Sequence, residues 1–186
     1  MLTLLATLLA VSAPYKTGWP AGHLQLALKG GVALPETDMP LAFDVGAEVG
    51  AMFDASFGRI GPVLALSYSA PAVEQTGFTL ETSRTAAMVT AMALFDRFSR
   101  NGAPYLGVGV GPVLTRAHLT LTGFARDRAE VRFGFTIVAG LAARFGPGSV
   151  LFEARLLHAP SQLPELDGLT PSPLTVSMGY RIWLFD

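Results

Sequence analysis

Residues 131–145, VRFGFTIVAGLAARF, alternate between two kinds of side chain over their whole length. Every odd position from Val131 to Phe145 is apolar, whereas the even positions other than Val138 carry small or polar residues and include Arg132 and Arg144. Residues two apart lie on the same face of a β-strand. The alternation therefore predicts a strand with one apolar and one polar face.

The same period of two recurs along the chain from residue 23 onward. Thr85–Phe95 is apolar at both parities, so the sequence does not fix its facing. We find no helical pattern between the strands. The eight predicted strands are His23–Leu34, Ala42–Phe53, Ile60–Ala70, Thr85–Phe95, Pro104–Thr115, Val131–Phe145, Val150–Leu157 and Leu174–Phe185.

The connections between these strands alternate between long and short. Short turns follow every second strand, as in membrane barrels with tight turns at one end and longer loops at the other. We therefore predict an all-β fold, an eight-stranded antiparallel up-and-down transmembrane β-barrel. The four long loops would be Pro35–Leu41, Pro71–Arg84, Arg116–Glu130 and His158–Pro173.

Composition excludes several classes of protein. Of the 186 residues 51% are hydrophobic and 15% are charged, with a net charge of −1 and no cysteine. This apolar content excludes disorder, and the balanced charge argues against a nucleic-acid partner. Without cysteine there is no disulfide and no thiolate zinc site. We predict no cofactor and no metal site, because no cluster of His, Asp and Glu has recognisable ligand spacing.

The N-terminal segment Met1–Ala13, MLTLLATLLAVSA, is typical of the apolar core of a secretory signal peptide. Residues 14–186 would then form a single barrel domain. The alternative is that the segment is a core strand or helix of the mature protein.

Alternation alone does not say which face of the barrel points inward. The polar face is mostly Gly, Ala, Ser and Thr, which suits a narrow lumen. Aromatic residues also end single apolar faces, at Phe43 and Phe53 and at Phe133 and Phe145. Their separations correspond to roughly 23–30 Å of height in tilted strands, close to the apolar band of a membrane barrel. We therefore predict that the apolar face meets lipid, with a soluble lipocalin-like barrel for an apolar ligand as the alternative.

An eight-stranded barrel is only wide enough for its own side chains. Extrapolating the hairpins brings Lys29 opposite position 47, beside Glu48, and Glu153 close to Arg144. We predict a structural ion network that closes the lumen, and a proton or ion relay is the alternative. The lumen set is Lys29, Asp44, Glu48, Arg132, Arg144, Glu153, Arg155 and Arg181.

The sequence resembles the small bacterial outer-membrane barrels of the OmpA, OmpX and OmpW type (the outer membrane protein beta-barrel domain). The resemblance rests on the alternation, on residues 104–111, PYLGVGVG, and on the terminal YRIWLF of residues 180–185. It implies a monomer in the outer membrane of a Gram-negative cell, with long loops outside and termini in the periplasm. Its implied partners are outer-membrane lipid, lipopolysaccharide and the barrel insertion machinery. The implied role is structural, envelope-stabilising or surface-interacting.

Some barrels that resemble this chain modify lipid A by deacylation or acyl transfer, using a histidine at the outer rim. We predict no catalytic residue and favour a role without catalysis. If the protein is such an enzyme, His118, His158 and Ser161 are the candidates.

Overall fold

The computed structural model describes residues 23–34, 41–70, 72–75, 78–97, 101–121, 124–160 and 174–184. In these ranges no helix is long and apolar enough to cross a bilayer. The predicted signal segment Met1–Ala13, the candidate Ser161 and the terminal Phe185 lie outside the described residues. So do most of the predicted loops Pro35–Leu41 and His158–Pro173.

The described residues form a single sheet of antiparallel strand segments. Their bounds are β1 Leu24–Leu34, β2 Ala42–Ala51, β3 Phe53–Ala55, β4 Gly58–Ser69, β5 Ala72–Gln75, β6 Phe78–Leu94, β7 Gly102–Leu121, β8 Phe124–Phe145, β9 Gly148–His158 and β10 Leu174–Leu184.

These segments close into a ring of eight spanning strands. β2 and β3 both pair with β4 and are one strand interrupted at Met52, whose N–H donates to the carbonyl of His23 at 2.7 Å. β5 continues the line of β4 along β6. The pairing of β1 with β10, from Leu24 opposite Leu184 to Leu34 opposite Leu174, closes the ring. The predicted eight-stranded antiparallel barrel is confirmed.

The apolar faces of the strands point away from the lumen. The apolar residues Val49 and Phe135 are 41% and 44% exposed. Glu48, which precedes Val49 and so points to the opposite face of the strand, is 4% exposed. The four Phe residues predicted to end the apolar faces are all exposed. Because every backbone group of a closed barrel is paired, such a surface can face lipid. This orientation is that of a transmembrane barrel and the reverse of a soluble lipocalin-like one.

The structure also settles the facing of β6. Its even positions, including Met88, Met92 and Leu94, are buried in the lumen, and Val89 is exposed outside. The large inward Met and Leu side chains of this strand fill the lumen, and Sδ of Met92 accepts a hydrogen bond from Arg181 of β10, which explains why both parities of β6 are apolar.

Two predicted loops, Pro71–Arg84 and Arg116–Glu130, are largely wrong as loops. β6 begins at Phe78, and β7 and β8 continue to Leu121 and from Phe124 as paired strands. Their residues are mixed or polar at both parities, which is typical of a barrel wall that rises beyond the apolar band. The apolar period that marks a strand in the sequence is therefore lost although the ladder continues.

The barrel thus has two unlike ends. At one end, which we call the turn end, short turns join the strands. One of these contains Gly146, whose φ of +58° lies in the left-handed region that favours glycine. At the other, the hairpin end, residues 72–75, 78–84, 115–121 and 124–130 form what we call the projecting sheet. It begins beyond a boundary row in which Tyr68, Thr85, Leu114 and Val131 are successive cross-strand partners.

Candidate functional site

The lumen holds a balanced cluster of enclosed charges. Its members come from β1, β2, β9 and β10, and each is less than 9% exposed. The three basic side chains match the three acidic ones in number, so the cluster is neutral as a whole. We call it the enclosed ion cluster, and it consists of Lys29, Arg155, Arg181, Asp44, Glu48 and Glu153.

Lys29 is shared between two carboxylates. Its Nζ donates to Glu48 and, at 2.6 Å, to both oxygens of Glu153. The Tyr105 hydroxyl donates to Oε2 of Glu153 at 3.0 Å. β1 lies beside β2, but Glu153 reaches Lys29 from β9, beyond β10. The contact therefore ties strands that are not neighbours in the ring.

A second ion pair lies nearer the hairpin end. Nη2 of Arg155 donates to the two carboxylate oxygens of Asp44 at 2.7 and 2.8 Å. Arg181 is placed differently, since its guanidinium carbon lies 5.1 Å from the centre of the Tyr105 ring and 5.9 Å from that of Trp183. The only hydrogen bond given by Arg181 within the described residues goes to Sδ of Met92 at 3.5 Å.

Two members of the predicted lumen set lie elsewhere. Arg132 is half-buried and donates from Nε to Glu130 at 3.2 Å. Arg144 is exposed at the turn end, and its predicted proximity to Glu153 is wrong. The turn is two residues long, so Phe145 pairs with Gly148 and Glu153 moves opposite residue 140.

The predicted cross-strand partner of Lys29 on β2 is wrong by one residue. Lys29 lies opposite Gly46 rather than position 47. Glu48 is then two residues away on the same inward face, which places its carboxylate within reach of the ammonium group.

Several polar residues that point into the lumen are absent from the lumen set predicted from the sequence. Arg59 and Arg84 had been assigned to connections, although counting back from Met88 by twos would have placed Arg84 inside. Nη2 of Arg84 donates to the carbonyl of Ala159 at 2.9 Å. Tyr105 lies two and four residues before the inward glycines at 107 and 109. This spacing alone could have predicted that its side chain points into the lumen.

A further ion pair lies at the turn end of the barrel. Nε of Arg59 lies 3.2 Å from Oδ2 of Asp96, and its guanidinium carbon lies 4.5 Å from the centre of the Trp183 ring. Asp96 is in the turn after β6, outside the spanning strands. Burial raises the pKa of the Asp96 carboxyl, and the positive charge of Arg59 opposes that change.

The outer face of the projecting sheet carries a hydrogen-bonded chain of three side chains. His118 is the cross-strand partner of Asp127, and its Nδ1 hydrogen-bonds to the Asp127 carboxylate. On its other side, Nε2 of His118 lies 3.2 Å from Oγ1 of Thr120. Glu81 pairs with His118 from β6. His118 is four residues beyond Leu114, and therefore outside the apolar band.

The hydrogen bond to Asp127, and then the charge of that carboxylate, raise the pKa of His118 above the ordinary histidine value of 6.5. A raised histidine pKa means that this interaction stabilises the fold below about pH 6.5 and is lost as the pH rises through the raised value. We expect Asp127→Asn to lower the pKa of His118 in an NMR titration of the imidazole. An unchanged titration curve in this variant would contradict the contact.

The other catalytic candidates are not brought together with His118. His158 lies on the outer face with its ring centre 5.1 Å from that of Phe135, its cross-strand partner. Asp127 and Phe135 are eight residues apart on β8, which separates the two histidines by roughly 26 Å along the strand. Ser161 lies outside the described residues.

A groove of about 610 Å³ opens on the projecting sheet beside the boundary row. Both signs of charge line it. No group of three His, Asp or Glu side chains suited to a metal ion is found in the described part of the chain. The groove is lined by Tyr68, Glu81, Arg116, His118, Asp127 and Arg128.

The sequence matches no protein-family model and no curated protein. Solved structures do resemble the fold. Neisserial surface protein A (NspA) superposes with a TM-score of 0.54 at 16% identity, over 87% of this chain and 96% of that one. Ail, the attachment invasion locus protein of Yersinia pestis, gives 0.52 at 15% identity, over 86% of this chain and 96% of that one. At such identities the likeness establishes the fold alone. The chain is therefore a small eight-stranded β-barrel of the outer-membrane kind.

Proposed function

We propose that the protein is a non-conducting barrel that anchors the projecting sheet at the bacterial cell surface, where the sheet contacts anionic lipopolysaccharide. The observation that carries the proposal is the projecting sheet itself, which continues the barrel wall beyond the boundary row. β7 extends seven residues past Leu114, or roughly 23 Å along the strand.

The filled lumen supports a passive role. Lys29, Glu48, Glu153 and Tyr105 are hydrogen-bonded across the interior, and Met52, Met92 and Leu94 are fully buried beside them. We expect no stepwise ion current from the wild-type barrel in a planar lipid bilayer. Regular single-channel openings would contradict the closed lumen.

The orientation of the barrel can be tested with single cysteines, because the natural chain has none. Ala125 lies in the projecting sheet and Ser56 in a short turn at the opposite end, and both are exposed. We expect a membrane-impermeant maleimide to label Ala125→Cys on intact cells and Ser56→Cys only after the outer membrane is permeabilised. The reverse labelling would place the projecting sheet in the periplasm and overturn the proposal.

Arginines give the projecting sheet the chemistry to contact phosphate groups. Arg116 and Arg128 line the groove near the boundary row, where lipid headgroups would lie in the proposed orientation. Guanidinium groups bind phosphate through paired N–H donors. The groove also offers the hydroxyl of Ser83 as a further donor.

Binding of lipopolysaccharide by the refolded barrel tests this contact. We expect the Arg116→Gln, Arg128→Gln double variant to bind several-fold more weakly, at roughly two- to fivefold for each exposed charge pair. Arg97→Gln, a change of the same charge at the turn end, is the matched control. Equal binding by all three proteins, or equal binding of dephosphorylated lipopolysaccharide, would contradict a phosphate contact.

One observation favours a second candidate function, the hydrolysis of an acyl ester in a lipid. Thr120, His118 and Asp127 are arranged as nucleophile, base and orienting carboxylate. In such a reaction His118 takes the Thr120 proton, the hydroxyl oxygen attacks the ester carbonyl and the alcohol leaves. Water then releases the fatty acid and restores Thr120.

Mass spectrometry of lipid A after incubation with the barrel tests this candidate. Hydrolysis predicts the loss of one acyl chain by the wild type and by Thr120→Ser, and no loss by Thr120→Val. Unchanged lipid A with the wild type under varied divalent-ion conditions would rule the activity out. That result would leave the anchoring role unaffected.

A further inference from the structure

Four side chains at the turn end of the lumen carry polar atoms that have no hydrogen-bond partner among the described residues. Three of the four residues are fully buried, at 0% exposure, and Trp183 is partly buried with its N–H enclosed. Buried polar groups in folded proteins are nearly always satisfied. The atoms are Nε2 and Oε1 of Gln25, Oγ of Ser149, Nε and Nη1 of Arg181, and Nε1 of Trp183.

The strand register places these four side chains side by side. Gln25 on β1 is the direct partner of Trp183 on β10, and Ser149 on β9 is the direct partner of Arg181. Directly opposed residues have Cβ atoms about 5 Å apart. Arg181 and Trp183 are two residues apart on the same strand, hence on the same inward face. The four form one continuous patch of the inner wall.

The patch offers many donors and few acceptors. Arg181 and Trp183 only donate, and the amide nitrogen of Gln25 adds two N–H groups. The acceptors are Oε1 of Gln25 and the lone pairs of the Ser149 hydroxyl. Each water molecule placed here would bring two O–H groups of its own that need acceptors. An anion accepts hydrogen bonds from all of the donors and brings none.

The local charge also favours an anion. Arg181 has no carboxylate within ion-pair distance among the described residues, and its charge is faced by the rings of Tyr105 and Trp183. The Trp183 ring is shared with a second guanidinium, that of Arg59, which pairs with Asp96. Arg59 also lies 3.9 Å from Asp54, so its charge is matched by carboxylates, whereas the charge of Arg181 meets none among the described residues.

We propose that Arg181, Trp183, Gln25 and Ser149 bind a small monovalent inorganic anion of the halide class inside the turn end of the barrel. The Tyr105 ring separates this anion from the Lys29 pairs, because the ring lies against Arg181 and its hydroxyl lies on Glu153. This site is independent of the surface contact proposed above.

Fluorescence of Trp183 provides the first test. Trp19 and Trp183 are the tryptophans of the chain, so Trp19→Phe leaves Trp183 as the sole reporter. In refolded barrel at constant ionic strength, set with gluconate, we expect iodide to quench Trp183 along a saturating curve that chloride displaces. Arg181→Gln is expected to raise the iodide dissociation constant roughly tenfold or more. Arg97→Gln, a change of equal charge at the same end but outside the patch, is expected to leave it unchanged.

Linear quenching that is the same in all three proteins would mean collision alone and would overturn the site. Since Arg181→Gln removes a buried side chain and can impair folding, a second measurement uses the unaltered protein. We expect crystals of the wild-type barrel grown in sodium bromide to give an anomalous bromine peak within hydrogen-bond distance of Arg181 and Trp183. Ordered water at that place with no anomalous signal would refute the proposal.

Discussion

Replacing Lys29 by methionine is expected to lower the free energy of unfolding of the barrel by about 3–5 kcal/mol, the usual cost of breaking a buried ion pair. Nζ of Lys29 contacts both Glu48 and Glu153, and all three side chains are nearly inaccessible to solvent. Without the ammonium group two enclosed carboxylates share one region of low dielectric. Their repulsion and their lost hydration are then uncompensated, although the methionine fills most of the volume of the lysine.

Urea unfolding of the refolded barrel in detergent measures this loss. Arg144→Met is the matched control, because Arg144 is also basic and on the inward parity but is exposed. We expect the control to change stability by about 0.5 kcal/mol or less. Adding Glu48→Gln and Glu153→Gln to Lys29→Met is expected to restore much of the loss. Equal effects of Lys29→Met and Arg144→Met would contradict an enclosed cluster.

The comparison of Lys29 with Arg144 also marks how far the sequence could predict this site. Alternation assigns both residues to the inward face, and for the middle of a strand that assignment is sufficient. It carries no information on height along the barrel axis, which decides whether an inward residue is enclosed or reaches solvent at the mouth. Height depends on the length of each turn, and the two-residue turn at Gly146 shifted the partner of Glu153 from its extrapolated place.

The projecting sheet was missed for a different physical reason. The barrel wall alternates in polarity because one face meets lipid and the other meets the lumen. Beyond the boundary row residues 124–129 are all exposed, and residues 124–130, FARDRAE, have no apolar period and resemble a loop in sequence. The chain of Thr120, His118 and Asp127 depends on the β7–β8 register in that region. It could not be derived from residues predicted to be loop.

Substituting alanine for Gly140 is expected to destabilise the barrel by about 3 kcal/mol, at the upper end of overpacking costs. A Cβ atom at this position would lie 2.4 Å from Cζ of the Tyr105 ring and 2.6 Å from the backbone oxygen of Phe152. The ring would have to leave the wall, and its hydrogen bond to Glu153 would be lost with it. Gly140 thus makes room for the ring of Tyr105, whose hydroxyl donates to the Glu153 carboxylate that Lys29 also contacts.

Gly30→Ala is the matched control, because a Cβ at Gly30 would meet nothing within 4 Å. Urea unfolding should show little change for this variant and a large loss for Gly140→Ala. Combining Gly140→Ala with Tyr105→Leu should cost less than the sum of the two single changes, since the shorter side chain relieves the contact with the ring. Strict additivity would mean that the clash with the Phe152 backbone alone determines the loss, and that Tyr105 does not depend on Gly140 for its place in the lumen.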